Sequence, residues 1–334
     1  MGFVLPFWAA TPVRRAVLAA TSLTLSLATL GLLAWDAGWA KAIHRLSHGD
    51  WTILAAVLAA HLLAYVGYTV GHHRLLNLGS ERVVAWRQTT LILLVGFGAI
   101  PSAGGLRIDQ VALRGLGRSR EEATISAIAL AGIEMALLTP VAWVCALLLI
   151  GAPGVPGSES ISWAIAAPLL FVPTVLAAAR GTHRALAPDG ERHRPPWLQD
   201  TLSGFARALQ LARHPRCGAI VLAGVAVYWA ADILALWLSL RLCHVELSVT
   251  RLILAYATGY LLTRRSLPLA GAGATELLLS IALTWVGVPL AAAVPAVLVY
   301  RFTDLSLTLI PALGGAPTLI RITHPELFSA EADG

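Results

Sequence analysis

Ile100-Pro101-Ser102-Ala103-Gly104-Gly105-Leu106-Arg107-Ile108-Asp109 interrupts an apolar run with helix breakers, and a version of it returns later in the chain. A shift of 167 residues, half of the 334-residue length, lays it on Leu267-Pro268-Leu269-Ala270-Gly271-Ala272-Gly273-Ala274-Thr275-Glu276. Each copy reads Pro-x-Ala-Gly, four residues, then Asp or Glu. Proline removes a backbone donor and glycine opens conformations closed to other residues, so each copy marks a break in helical structure. The fold depends on what kind of segment these breaks interrupt.

The surrounding composition answers that. Hydrophobic residues make up 57% and charged residues 13% of the chain, against roughly 45–50% and 25% in soluble domains. Several apolar runs approach the roughly 20 residues that a helix needs to cross a bilayer. The expectation is an all-α polytopic membrane protein forming a single membrane domain over 1–334. Its net charge of +6 sits in short arginine-rich segments beside apolar runs, where topology and lipid contacts account for it without nucleic acid. Cys145, Cys217 and Cys243 have no metal-binding spacing.

Outward from the first break, spans are expected at about 16–35, 51–70, 122–150, 161–179, 217–240 and 288–312. Arg14 and Arg15 precede the first run as in a signal peptide, but its length favours a retained helix. Arg74, Arg82 and Arg87 follow the second span. Basic loops face the cytoplasm, which puts both termini inside and the protein in a bacterial cytoplasmic (inner) membrane. The loop at 151–160 carries Glu159 and no basic residue, as an external loop should. The following loop gathers Arg180 to Arg216, and within it Trp197 to Arg213 has amphipathic spacing suited to the membrane surface.

Thr89 to Gly105 is too short and too broken to cross, and basic residues flank both ends. It reads as a re-entrant helical hairpin, whose bent backbone must face protein or water. The second copy, with Arg264 and Arg265 beside Pro268, reads as another hairpin entering from the opposite face. The expected architecture is six full spans and two hairpins in two inverted repeats. The first repeat covers 1–160; the second begins at 161–216, which includes the connector, and continues over 217–315, with a cytoplasmic tail at 316–334. Inverted repeats with broken helices place a site near the membrane midplane.

Charges inside spans cost roughly 2.5–3.5 kcal/mol each on insertion scales and therefore face a cavity or a partner. Asp109 and Glu276 share a repeat position, and so do Glu134 and Arg301; Arg264, Arg265 and Asp304 lie near in sequence, and Arg107 beside the first copy. Asp232 and His61 lie in matched spans. Two readings stand. One is a polar cavity in which arginines hold a phosphate-bearing headgroup and acids pair with them or accept a cationic part. The other is structural: Arg301 with Asp304 as a local pair three residues apart, Glu134 with Arg301 as a bridge between halves, and His61 as a satisfied core histidine.

The two Pro-Ala-Gly copies, the arginine-rich segment after the first and the later Tyr300-Arg301 resemble the lysylphosphatidylglycerol synthase transmembrane region family, the flippase-like domain. The resemblance covers about 15–315. It implies a polytopic module that moves or holds lipids with modified headgroups, with Pro101, Gly104, Gly105, Pro268, Gly271 and Gly273 as broken-helix backbone. It also implies that aminoacyl lipid synthesis belongs to a separate soluble transferase domain, which is not expected here. Leu106 stands where the family often has an acid, and Met135 follows Glu134 where members often carry an arginine. The second copy, with Gly271, Gly273, Glu276 and Arg301, keeps the family pattern better.

The function expected is movement of a phosphate-bearing or modified-headgroup phospholipid between leaflets, passive, ion-coupled through an acid such as Glu276, or driven by a partner. No P-loop, zincin or prenyl-diphosphate motif is present, so no cofactor, metal or catalytic residue is assigned. Glu121-Glu122 and His72-His73 lack the companions that catalysis or metal binding would need. The alternatives are a scaffold for a separate lipid-modifying transferase and, with least support, a membrane-embedded lipid enzyme.

Overall fold

A computed structural model describes residues 12–47, 50–78, 83–97, 104–185, 211, 214–260 and 271–323. Among these the regular structure is helical: α1 (Pro12–Ala37), α2 (Trp39–Ser47), α3 (Trp51–Leu76), α4 (Trp86–Phe97), α5 (Gly104–Gly115), α6 (Arg120–Leu148), α7 (Gly157–Ala185), α8 (Pro215–Leu242), α9 (Val249–Tyr260), α10 (Ala274–Trp285) and α11 (Leu290–Thr323). Four of them, α3, α6, α8 and α11 over Leu290–Gly315, are long and apolar enough to cross a membrane. The chain is a membrane protein.

Local sequence explains where these helices begin and end. Asp50 caps α3, its carboxylate accepting the Thr52 amide at 2.8 Å, and these hydrogen bonds hold its carboxyl below the usual carboxylate range. Ser119 and Glu122 form a capping box at the start of α6. The Glu121-Glu122 pair is thus a helix-start device. α11 continues beyond the expected end of its span, through Pro317 to Thr323. The charge-balanced stretch after the first span contains a further helix, α2, which packs against α1 and α11.

Two pairs of short helices stand where the breaks were expected. α4, α5, α9 and α10 have 12 residues each, about 18 Å of helix against a hydrocarbon core of about 30 Å. α9 and α10 run antiparallel: Arg251 near the start of α9 reaches the Val286 carbonyl at 3.4 Å, and a Cβ at Gly259 would sit 2.5 Å from the Leu279 Cα. In the first pair, Asn77 after α3 exchanges hydrogen bonds with the Val84 backbone at 2.7 and 3.0 Å, and Arg118 after α5 donates to the Leu76 carbonyl at 2.7 Å. Both open ends of this pair therefore adjoin the end of α3 and the start of α6. Arg251 also donates to the Pro153 carbonyl at 2.6 Å, so the second pair adjoins the opposite end of α6.

The order long, short, short, long thus occurs twice, as α3–α6 and as α8–α11. α3 runs along α8, and the contact depends on small residues. A Cβ at Gly224 would lie 2.6 Å from the Gly67 carbonyl oxygen and 2.7 Å from the Gly71 amide nitrogen. Gly67-x-x-x-Gly71 is the spacing that lets membrane helices approach closely, where dispersion rather than water exclusion drives association. Leu62, Leu63 and Val66 point away from this seam and are exposed, while His61, Tyr65 and Tyr68 on the other face are buried. One face of α3 suits lipid and the other carries polar groups into the protein.

Candidate functional site

Those polar groups meet acids from several helices. Glu276 lies in the first turn of α10, just after Gly273, whose φ of +83° favours glycine. This backbone lets the Gly273 amide donate to Glu276 Oε2 at 2.7 Å. Ser26 Oγ from α1 donates to Oε1 at 2.8 Å, and Arg301 Nε from α11 donates to the same oxygen at 2.9 Å. Arg301 Nη1 donates to Asp304 Oδ2 at 2.8 Å. One guanidinium, using the geometry of its planar fork, therefore joins the tip of the second short pair to its own spanning helix. All three charged side chains are buried.

A second layer lies against this one. Tyr65 donates to Asp304, and Tyr68, one turn further along α3, donates to Glu134 on α6. On α8, Asp232 Oδ2 accepts the hydroxyls of Tyr256 and Tyr300, the latter at 2.9 Å. Asp232 Oδ1 lies 3.7 Å from His61 Nε2. Each of the four acids, Glu134, Asp232, Glu276 and Asp304, therefore receives a hydroxyl donor. Such donors offset part of the cost of burying a carboxylate where water is scarce.

Of these four carboxylates, Arg301 is in direct contact with two, Glu276 and Asp304. Ligand atoms of His61, Asp232 and Asp304 lie within 4.8 Å of one another, close enough to hold a cation.

Sequence reasoning named Glu134, Asp232, Glu276, Arg301 and Asp304, and the structure brings these five into one buried polar region. Asp109 is buried on α5 next to Ile108, Ala112 and Leu113, which pack with Leu76, Ile92 and Leu319. The oxygens of Glu276 are taken by Ser26, Gly273 and Arg301, so the two acids that share a repeat position do not bond to each other. Gly104, Gly105 and Arg107 form the first turn of α5, and Gly271 and Gly273 both have positive φ before α10. Pro101, Arg264, Arg265, Pro268 and the connector at 197–213, save Leu211, lie outside the described residues.

Several members were missed. Ser26, Tyr65, Tyr68 and Tyr256 carry no charge, so a search for buried charge passed over them. A usable signal existed on α3, where His61, Tyr65 and Tyr68 recur at helical spacing and place three polar-tipped side chains on one face. His73 stacks on Trp86 at 3.7 Å and lies 3.1 Å from Thr89 Oγ1, so it helps to pack the base of the first short pair.

No curated protein matches the chain. The sequence profile described as "Lysylphosphatidylglycerol synthase TM region" matches residues 18–312, from within α1 to within α11 and including every helix of the buried polar region. That match supports a membrane role connected with lipid, and on its extent the chain belongs to the lysylphosphatidylglycerol synthase TM region family.

Proposed function

We propose that this protein moves a phospholipid between leaflets, exposing the polar region between its two halves first to one side of the membrane and then to the other. The observation that carries this reading is the single buried network running from Ser26 on α1 through Glu276, Arg301 and Asp304 to Tyr65 on α3. Buried ion pairs rarely stabilise a protein better than apolar side chains of the same volume, and a static bundle has no need of one at this depth. A transporter does need one, because polar cargo must find partners while it crosses hydrocarbon.

The substrate that suits this composition carries a phosphate and a cationic group. Arg301 would exchange one of its carboxylates for the phosphate, and the released acid would meet the cation. The antiparallel short pairs support re-entrant hairpins, and their open ends at opposite ends of α6 support inverted repeats. With α1 and α7, of 26 and 29 residues, added to the four apolar spans, the arrangement accommodates six crossings. The basic loops orient both termini to the cytoplasm of a bacterial inner membrane. Residues 1–160 form one repeat, and the second follows from 161.

Transport of a labelled phospholipid in proteoliposomes tests this. Wild type moves lipid, while Glu276→Gln and Arg301→Ala do not although both remain folded. Lipid movement unchanged in both variants contradicts a role for the network. No movement by the wild type with any phospholipid leaves a scaffold for a separate lipid-modifying transferase as the better reading.

A further inference from the structure

We infer that Glu159, in the first turn of α7, is a proton-binding site: it carries a proton while α7 is docked on α9, and loss of that proton loosens the contact, making a pH-sensitive latch beside the second short pair. The inference does not rest on the transport reading. Glu159 is buried, stands apart from the network of Arg301, and takes part in no ion pair among the described residues.

The proton is counted from the bonds of one hydroxyl. Thr258 on α9 offers a single hydrogen and two lone pairs. Its Oγ1 accepts the indole N–H of Trp163, on α7, at 2.9 Å. Two oxygens remain within reach of it: the Leu254 carbonyl, one turn back along α9, at 2.8 Å, and Glu159 Oε1 at 3.1 Å. The carbonyl can only accept, so the hydroxyl hydrogen satisfies the shorter contact and a lone pair is left facing Oε1. An ionised carboxylate would set its own lone pairs against that one. A proton on Oε1 turns the contact into O–H donation, and the hydroxyl then accepts twice and donates once.

The other arrangement gives the Thr258 hydrogen to Oε1 and keeps Glu159 ionised. Oε2 is buried with no hydrogen-bond partner, so a full negative charge would rest on one neutral donor. Glu276, by contrast, has three donors, one of them a guanidinium. A carboxylate taken from water with so little compensation gains more by neutralising. The helix start favours negative charge, but no helix amide bonds to either oxygen among the described residues.

The elements around Glu159 bring little charge to it. Trp163 and Leu254 belong to an apolar cluster with Ala146, Leu149 and Val155. On α9, Arg251 is committed to the Pro153 and Val286 carbonyls at 2.6 and 3.4 Å. α6 holds α7 through Trp143, which donates to the Ala164 carbonyl at 3.0 Å, and its titratable groups along this length are Cys145, which is buried, and Glu134, engaged by Tyr68. α7 has no other charged residue before Arg180, and Arg264 and Arg265, which follow α9, lie outside the described residues.

The proton therefore ties two helices together. Separating α7 from α9 gives Glu159 access to donors that stabilise a carboxylate, so the undocked form releases the proton more readily. By linkage, docking is firmest in acid and weakens as pH rises, by up to about tenfold in its equilibrium per pH unit, until the docked form itself ionises.

Infrared spectroscopy of the protein in lipid nanodiscs across a pH series tests the proton. The expected spectrum at neutral pH contains a protonated-carboxyl C=O band that Glu159→Gln removes. Thr258→Val, which keeps the shape but not the acceptor, shifts the same band, so the assignment does not depend on one variant folding. A spectrum in which neither variant changes such a band means an ionised Glu159 and overturns the proposal. Hydrogen exchange at the start of α7 tests the latch, with wild type compared to Glu159→Gln at each pH so that intrinsic exchange rates cancel. The ratio of wild type to variant should rise by up to about tenfold per pH unit while the band persists and level off where it disappears. A ratio that stays constant across the series overturns the latch.

Discussion

The two short-helix pairs come from similar sequence and have been put to different use. In the second pair, Glu276 follows the glycine break directly and is bound to α1, to its own cap and, through Arg301, to α11. In the first, Asp109 sits deeper in its helix, beside Ile108, Ala112 and Leu113 of the apolar cluster, and among the described residues Asn77, Arg118 and His73 make polar contacts at the base of the pair. The difference teaches that two stretches of similar sequence can give helix pairs of equal length whose acids are held in different ways. Among the described residues, the second pair is joined to the spans through Glu276 at its tip, and the first through Asn77 and Arg118 at its foot.

The strongest way to break this distinction is Arg301→Ala. It leaves Glu276 and Asp304 buried without their cation, and removing one partner of a buried pair costs about 3–5 kcal/mol. Unfolding measured in nanodiscs should show that loss. Arg301→Lys should recover only part of it, because an ammonium lacks the planar fork that reaches both acids. A second test acts on packing within the second pair. Gly259→Ala places a methyl group 2.5 Å from the Leu279 backbone, and overpacking of this kind costs about 1–3 kcal/mol. Gly314→Ala, inside α11 with nothing within 4 Å of the added carbon, is the matched control and should lose no stability, gaining up to about 1 kcal/mol.

Asn77→Ala acts on the foot of the first pair. It removes both hydrogen bonds to Val84 and should cost about 1–3 kcal/mol, yet lipid movement at permissive temperature should survive, since Asn77 is remote from Arg301. The smallest effect is expected at the edge of the second half. Arg241 and Glu246 form an ion pair with the acid 84% exposed, and Glu246→Ala should change stability by about 1 kcal/mol or less.

Much of this was legible in the sequence. Apolar length located the four helices long and apolar enough to cross, because a bilayer imposes one scale on every crossing: 51–70 falls in Trp51–Leu76 and 217–240 in Pro215–Leu242. The Pro-Gly breaks located the short helices for an equally general reason, the loss of backbone donors and of side-chain restraint. The site was legible only as far as charge. Arg301 and Glu134 coincide under the 167-residue shift, but the shift gave no sign that Arg301 binds Glu276 from the neighbouring pair. The tyrosines escaped notice because an aromatic ring in an apolar run looks like packing until its hydroxyl is seen to meet a carboxylate. α2 escaped because nine residues evenly divided between apolar and polar have the composition of a loop, although in the helix the two kinds fall on separate faces.

The most direct test of the asymmetry is lipid movement in proteoliposomes by Glu276→Gln beside Asp109→Asn, two equal changes at equivalent positions of the repeat. The expected result is a loss of at least tenfold in rate for Glu276→Gln, about 1.4 kcal/mol in barrier, with Asp109→Asn close to wild type. Equal losses in both, or none in either, would contradict the assignment of the working chemistry to the second pair.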